Sequence, residues 1–91
     1  MELKIIRRSN DYLEIEAVGE DPALFDSLSE LAQRIEGVEY AGITIEHPLT
    51  RKVIMRVKSN PSKVKAEEAL RQAVKELKDI SRELREKFEK I

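Results

Sequence analysis

From about Ser62 to Ile91 the chain contains neither glycine nor proline, and Leu70, Val74, Leu77, Ile80, Leu84, Phe88 and Ile91 recur on one stripe. Spacings of three and four put side chains on one face of an α-helix, so the stretch predicts a single long helix. About 28 residues at ~1.5 Å rise give roughly 42 Å. A compact domain of 91 residues has a radius of gyration of only about 12 Å. The helix must therefore overhang whatever it packs on, and Leu84, Phe88 and Ile91 keep it apolar out there. Exposed apolar stripes of this kind mark contact surfaces, so a partner is expected. The other face is a solvated surface, with Glu67 and Arg71, Glu83 and Lys87, and Glu86 and Lys90 in the favourable i,i+4 order.

The preceding residues read as short elements. "LKIIRRSNDYLEIEAV" predicts two strands joined at Ser9-Asn10-Asp11, because Leu13, Ile15 and Ala17 alternate with Glu14 and Glu16. "GEDPALFDSLSELAQRIEG" predicts a helix with Asp21 as N-cap, Pro22 in the first turn and Gly37 as the left-handed closing residue. Leu24, Leu28, Leu31 and Ile35 form its inner stripe, widened by Phe25 and Ala32. Val38 to Glu46 is strand-like, but the alternation through Val38 and Tyr40 slips to Ile43 and Ile45, which places a bulge at Ala41-Gly42. Pro48 cannot donate to a ladder and ends that strand. "RKVIMRVK" is a fourth strand, with Val53, Met55 and Val57 on one side and Lys52, Arg56 and Lys58 on the other, Ile54 excepted. "SNPS" is a turn.

This is one domain, residues 1–91. There is no cysteine, which excludes a disulfide framework, a thiolate nucleophile and a cysteine-based zinc site and suits a reducing, cytoplasmic setting. The first residues lack the apolar core of a signal peptide, and no run approaches the roughly 18 apolar residues of a membrane span. Charged residues make up 38% of the chain and aromatics 4%, as in proteins with surface ion-pair networks or long exposed helices. The net charge of −1 hides a polarity: residues 1–46 carry 4 basic and 11 acidic side chains, and residues 47–91 carry 13 and 7. That polarity could steer the chain toward a larger assembly or nucleic acid, but two solvated faces that partly pair with each other are the preferred reading.

Little catalytic chemistry is encoded. His47 is the only imidazole, so a hydrolytic triad would hang on one loop residue, and none of the GxSxG, GxxxxGK[ST] or GxGxxG motifs accompanies it. A metal site around it would need further ligands, and Glu39 and Glu46 fall on an ordinary strand pattern. His47 is read as a hydrogen-bonding turn residue. Glu20-Asp21 is explained by helix capping. No catalytic residue, cofactor, metal or small-molecule ligand is expected. Arg51, Lys52, Arg56, Lys58, Lys63 and Lys65 offer cations to phosphate, but the few aromatics occupy core-like positions, so sequence-specific reading is not supported and any DNA contact is at most indirect.

Three stretches carry a family likeness. "GEDPALFDSL" (Gly19 to Leu28), "VEYAGITIEHPL" (Val38 to Leu49) and "AEEALRQAVKEL" (Ala66 to Leu77) resemble subunit L of archaeal DNA-directed RNA polymerase, in order and across nearly the whole chain. The most specific part is "EHPL" after a strand containing "YAG". The family's histidine and threonine after Gly-Glu-Asp, and its small residue and asparagine before the leucines, are replaced by Pro22, Ala23, Phe25 and Asp26.

With the element order, the resemblance implies an α+β, two-layer ββαββα fold: a four-stranded, mostly antiparallel sheet, two helices packed on one face, and a long C-terminal helix. It implies a non-catalytic small subunit that forms a heterodimer with the larger alpha-like RNA polymerase subunit, known as D. That pair would be the platform on which the large catalytic subunits assemble for transcription. Carried over by position, Leu24, Phe25, Leu28 and Leu31 of the first helix and Leu70, Val74, Leu77, Leu84 and Phe88 of the second would form the partner interface. Two alternatives stand beside this reading. One is a self-associating module of pterin-dehydratase-like topology, whose activity rests on a histidine cluster where this chain has only His47. The other is a weak nucleic-acid-binding module.

Overall fold

The structure, a computed structural model, describes residues 1–47, 49 and 51–91, leaving aside the side chain of His47. β1 (Glu2–Arg8) and β2 (Tyr12–Val18) form the expected hairpin, whose turn is held by the Ser9 hydroxyl donating to Asp11 at 2.8 Å. α1 (Pro22–Gln33) begins as the sequence predicts, with Asp21 Oδ1 accepting from the Ala23 N–H at 2.9 Å and Pro22 in the first turn. It ends sooner than expected. Gly37 does not cap the helix, which closes at Arg34; it takes a left-handed φ of 97° further on and turns the chain into the next strand.

That strand, β3 (Val38–His47), pairs with β4 (Lys52–Ser59), and β4 pairs with β2. The sheet order is β1-β2-β4-β3, and every pairing is antiparallel. The expected bulge at Ala41-Gly42 is absent: Ala41, Gly42 and Ile43 pair in unbroken register with Val57, Arg56 and Met55. The irregularities fall between Val38 and Tyr40 and between Ile45 and His47. The reason is the odd spacing from Val38 to Ala41, which the early bulge absorbs so that both can pack on the core. Tyr40 is thereby sent to the other face. Its ring crosses Gly42, where a Cβ would lie 2.5 Å from the Tyr40 hydroxyl, so the glycine makes room for an aromatic rather than for a bulge. His47 ends β3 opposite Lys52 instead of sitting in a turn. Its side-chain role and the strand-ending role expected of Pro48 lie outside the described residues.

α2 (Ala66–Glu89) starts later than Ser62, because the side chain of Asn60 organises the preceding residues first. Asn60 Oδ1 accepts from the Ser62 N–H at 3.1 Å and from its hydroxyl at 2.7 Å, and the Asn60 carbonyl accepts from the N–H groups of Lys63 and Val64. Such Asx turns compete with helix, and they shorten α2 to 24 residues, about 36 Å at ~1.5 Å per residue.

Both helices lie on one face of the sheet, α1 against β3 and β4 and α2 against β4 and β2. Leu13, Ala17, Val53, Met55 and Val57 rise from the sheet to meet Phe25, Leu28, Leu31 and Ala32 of α1 and Ala66, Ala69 and Ala73 of α2. The alanines let the first half of α2 approach the strands closely, whereas everything after Leu77 is exposed. The helix thus runs off the sheet, as its length requires.

Candidate functional site

The unpartnered part of α2 is the prominent surface feature. Leu70 and Leu77 are half-buried at the margin of the core, Val74 and Ile80 more exposed, and beyond the sheet Leu84 is 66% and Phe88 72% exposed. These side chains keep one face because α2 has no break between Ala66 and Glu89. Beside them runs a groove of about 1390 Å³ between α2 and the hairpin, with Leu3, Ile5 and Ile15 on one side and Leu70, Val74 and Leu77 on the other. β1 is the edge strand that neither helix covers. Leu3 and Ile5 stand opposite Ala17 and Ile15 on the helix side of the sheet, yet are 61% and 51% exposed. Sequence reasoning missed both. Their alternation was legible, but only the position of α2 reveals that nothing lies above them.

The first-helix candidates fare differently. Phe25, Leu28 and Leu31 are buried in the chain's own core, Phe25 at 3% exposure, so the expectation that they face a partner is corrected. A 12-residue helix lying fully over β3 and β4 spends its apolar stripe on them. Leu24 is half-buried against the same core. Of the nine candidates, Leu70, Val74, Leu77, Leu84 and Phe88 share the open face of α2.

The opposite face of the sheet is polar and largely self-neutralised. Lys52 lies between Glu16 (3.7 Å) and Glu46 (3.8 Å), and Arg56 reaches Glu14 at 3.6 Å and donates to the Thr44 hydroxyl at 3.1 Å. The Tyr12 hydroxyl donates to Glu14 at 2.6 Å, and Arg7 stacks over the Tyr12 ring. Partial burial, with the Glu14 hydrogen bond and charge adding to it, pushes the Tyr12 pKa up from 10.0. Lys63 pairs with Glu36 at 3.6 Å, so three of the six cations the sequence offers to phosphate already face carboxylates. Among the described residues no cluster of three or more His, Cys, Asp or Glu could hold a metal ion. Among them, too, no helix is long and apolar enough to cross a membrane.

An apolar helix face beside an uncovered strand is suited to binding another helix. Residues 12–87 match the RNA polymerase Rpb3/Rpb11 dimerisation domain. The chain is 38% identical to DNA-directed RNA polymerase subunit Rpo11 of Thermococcus kodakarensis over 88 residues, covering 94% of this chain and 93% of that protein. It is 37% identical to the Rpo11 subunit of Nanoarchaeum equitans over 78 residues, covering 86% and 80%. The crystal structure of DNA-directed RNA polymerase subunit L from Thermoplasma acidophilum has the same fold, with a TM-score of 0.85 at 24% identity over 98% of this chain and 86% of that one. The chain belongs to the RNA polymerase Rpb3/Rpb11 dimerisation-domain family, as its likeness to subunit L implied.

Proposed function

We propose that this protein is a non-catalytic assembly subunit of an archaeal-type RNA polymerase, and that it works in the cytoplasm by pairing with the larger alpha-like subunit. The pair then serves as the platform for the large catalytic subunits. The observation that carries the reading is a dimerisation domain whose long helix leaves Leu84 and Phe88 without a partner in the free chain. Leu70, Val74 and Leu77 extend that interface toward the sheet. Obligate interfaces of this type resemble a core cut in half.

Co-expression with the cognate alpha-like subunit tests the reading, the expected product being a stable one-to-one complex. Leu84→Asp removes side-chain burial worth ~1–2 kcal/mol, since two thirds of the residue is free to be buried. It also leaves an unpaired charge, which costs a further few kcal/mol. The complex should weaken by more than about a hundredfold, and Leu77→Asp with Leu84→Asp should abolish it. Wild-type affinity in the double variant, or a tight homodimer that ignores the alpha-like subunit, overturns the assignment.

A further inference from the structure

The sheet has a second free edge, at the far side from β1. β3 ends the order β1-β2-β4-β3, is the longest strand at 10 residues, and pairs with β4 alone. Free edges recruit further strands, and proteins blunt them with charges, bulges or a covering element. In β3 the bulges fall at the two ends, between Val38 and Tyr40 and between Ile45 and His47, and the charges Glu39 and Glu46 lie at the ends too. Between them "YAGITI" (Tyr40 to Ile45) runs in straight register with no charge and no proline, and short segments of that kind favour strand-to-strand association. Tyr40 and Ile45 are 51% and 47% exposed. What covers the middle of this run, among the described residues, is Gln33. From the last turn of α1 its Oε1 accepts from the Ala41 N–H at 2.8 Å. Successive N–H groups of a strand point to opposite sides, so the N–H groups of Ile43 and Ile45 point away from β4 with that of Ala41. The Gln33 amide therefore stands where the carbonyl of a fifth strand would.

We propose that the edge of β3 is a self-pairing surface held shut by Gln33, and that the occupant Gln33 excludes is β3 of a second copy of this chain. The inference is independent of the pairing function proposed above, which uses the other side of the molecule. A two-fold axis through the Tyr40 to Ile45 run sets two copies of β3 antiparallel. Each uncharged run then meets the other, and the two four-stranded sheets become one. The cleft between α1 and β3 is mixed in sign, with Asp26 and Glu30 beside Arg34, so charge alone does not keep a second copy away. Gln33 does, because an incoming strand must first break its bond to Ala41 and move the side chain aside. The symmetry requires this in both copies, which holds self-pairing back by about tenfold or more.

The test uses the full chain and compares wild type, Gln33→Ala, Gln33→Glu, and Gln33→Ala combined with Ile45→Lys. Gln33 and Ile45 are exposed, and alanine and glutamate both suit a helix, so the variants should fold like wild type by circular dichroism. Sedimentation velocity over a concentration series gives the dissociation constant of self-association, and amide hydrogen exchange followed by NMR reads Ala41, Ile43 and Ile45 one by one. Gln33→Ala should self-associate at least about tenfold more tightly than wild type. Its Ala41 amide should exchange faster than in wild type when dilute, and the amides of Ile43 and Ile45 should become protected as concentration rises. Gln33→Glu keeps an acceptor over the edge and should behave as wild type. Ile45→Lys puts a charge into the run and should return the alanine variant to wild-type association. Self-association of Gln33→Ala no tighter than wild type up to about 1 mM, a free energy of only ~4 kcal/mol, overturns the proposal. So does association that leaves Ile43 and Ile45 exchanging freely, which places the contact elsewhere, on α2 for example. Wild-type chain whose Ile43 and Ile45 amides are already protected at high concentration overturns it as well, since the edge would then be open with Gln33 in place.

Discussion

The two phenylalanines of the chain separate folding from pairing. Phe25 sits at 3% exposure between α1 and the sheet, and Phe88 at 72% on the overhanging end of α2. Truncating a buried phenylalanine costs about 3–5 kcal/mol, from lost transfer energy and from a cavity the surroundings fill only in part. The total stability of a domain of this size is roughly 5–14 kcal/mol. Phe25→Ala should therefore consume a large share of it and lower the melting temperature by more than about 12 °C, at ~4–8 °C per kcal/mol. Phe88→Ala removes a side chain that already faces water and should change the free chain by less than about 0.5 kcal/mol. In the complex with the alpha-like subunit the order should reverse: Phe88→Ala loses affinity, whereas Phe25→Ala, once folded, binds nearly as wild type. Urea unfolding of each free chain, followed by far-ultraviolet circular dichroism, gives the first comparison, and titration calorimetry with the alpha-like subunit the second. If Phe88→Ala destabilises the free chain as much as Phe25→Ala, α2 folds back on its own domain and the interface reasoning fails. A cost below about 1 kcal/mol for Phe25→Ala would instead return Phe25 to the surface.

Other perturbations probe the framework that aims α2. Asp21→Ala removes the N-cap of α1, whose side chain accepts from the Ala23 N–H at 2.9 Å, and should cost about 1 kcal/mol in the same urea experiment. Gly37→Ala combines a φ of 97° with a Cβ only 2.7 Å from that of Lys63; it should cost more than the ~1–2 kcal/mol of the backbone strain alone. An unchanged midpoint would show that the turn relaxes. Tyr12 titrates above its ordinary 10.0 in the folded chain, so the native state holds the phenolic proton more tightly than the unfolded one. The stabilisation is complete below pH 10 and is lost as pH rises through the raised value. Absorbance titration of the tyrosinate should find one residue ionising late, and Glu14→Gln should bring it down by removing the negative charge beside it.

The legibility of this fold in its sequence followed how local each signal was. The long helix was readable because a stripe without glycine or proline needs no knowledge of the rest of the chain. Its start was not, since Ser62 to Lys65 is compatible with helix until the Asn60 side chain takes the Ser62 N–H and hydroxyl. The slip in β3 was visible as an error of phase, but phase alone did not say which apolar residue changes sides. Tyr40 and Val38 are both good strand residues, and only the core decides that Val38 turns inward while Tyr40 lies across Gly42. Burial against a partner posed the same difficulty. Leu28 and Leu84 are identical as letters, and what separates them is the sheet beneath one and its absence beneath the other.

One non-local fact did leave a trace. Along the stripe of α2 the residues against the sheet are Ala66, Ala69 and Ala73, whereas those beyond it are Ile80, Leu84 and Phe88. Small side chains fit where a helix is pressed onto strands, because the backbones approach and little volume remains between them. Large ones left in water by the same helix gain nothing from the domain they belong to, and each becomes favourable only when a further surface removes it from solvent. A rise in side-chain size along one unbroken face therefore marks a helix that changes its packing partner partway along, with the change here near Leu77. Exchanging the two sizes tests this directly. Ala73→Leu should overpack the sheet contact and destabilise the free chain by about 1–3 kcal/mol, while Leu84→Ala should leave the free chain unchanged and weaken only the complex. If the exchange shows no such asymmetry, the apolar end of α2 is not an interface.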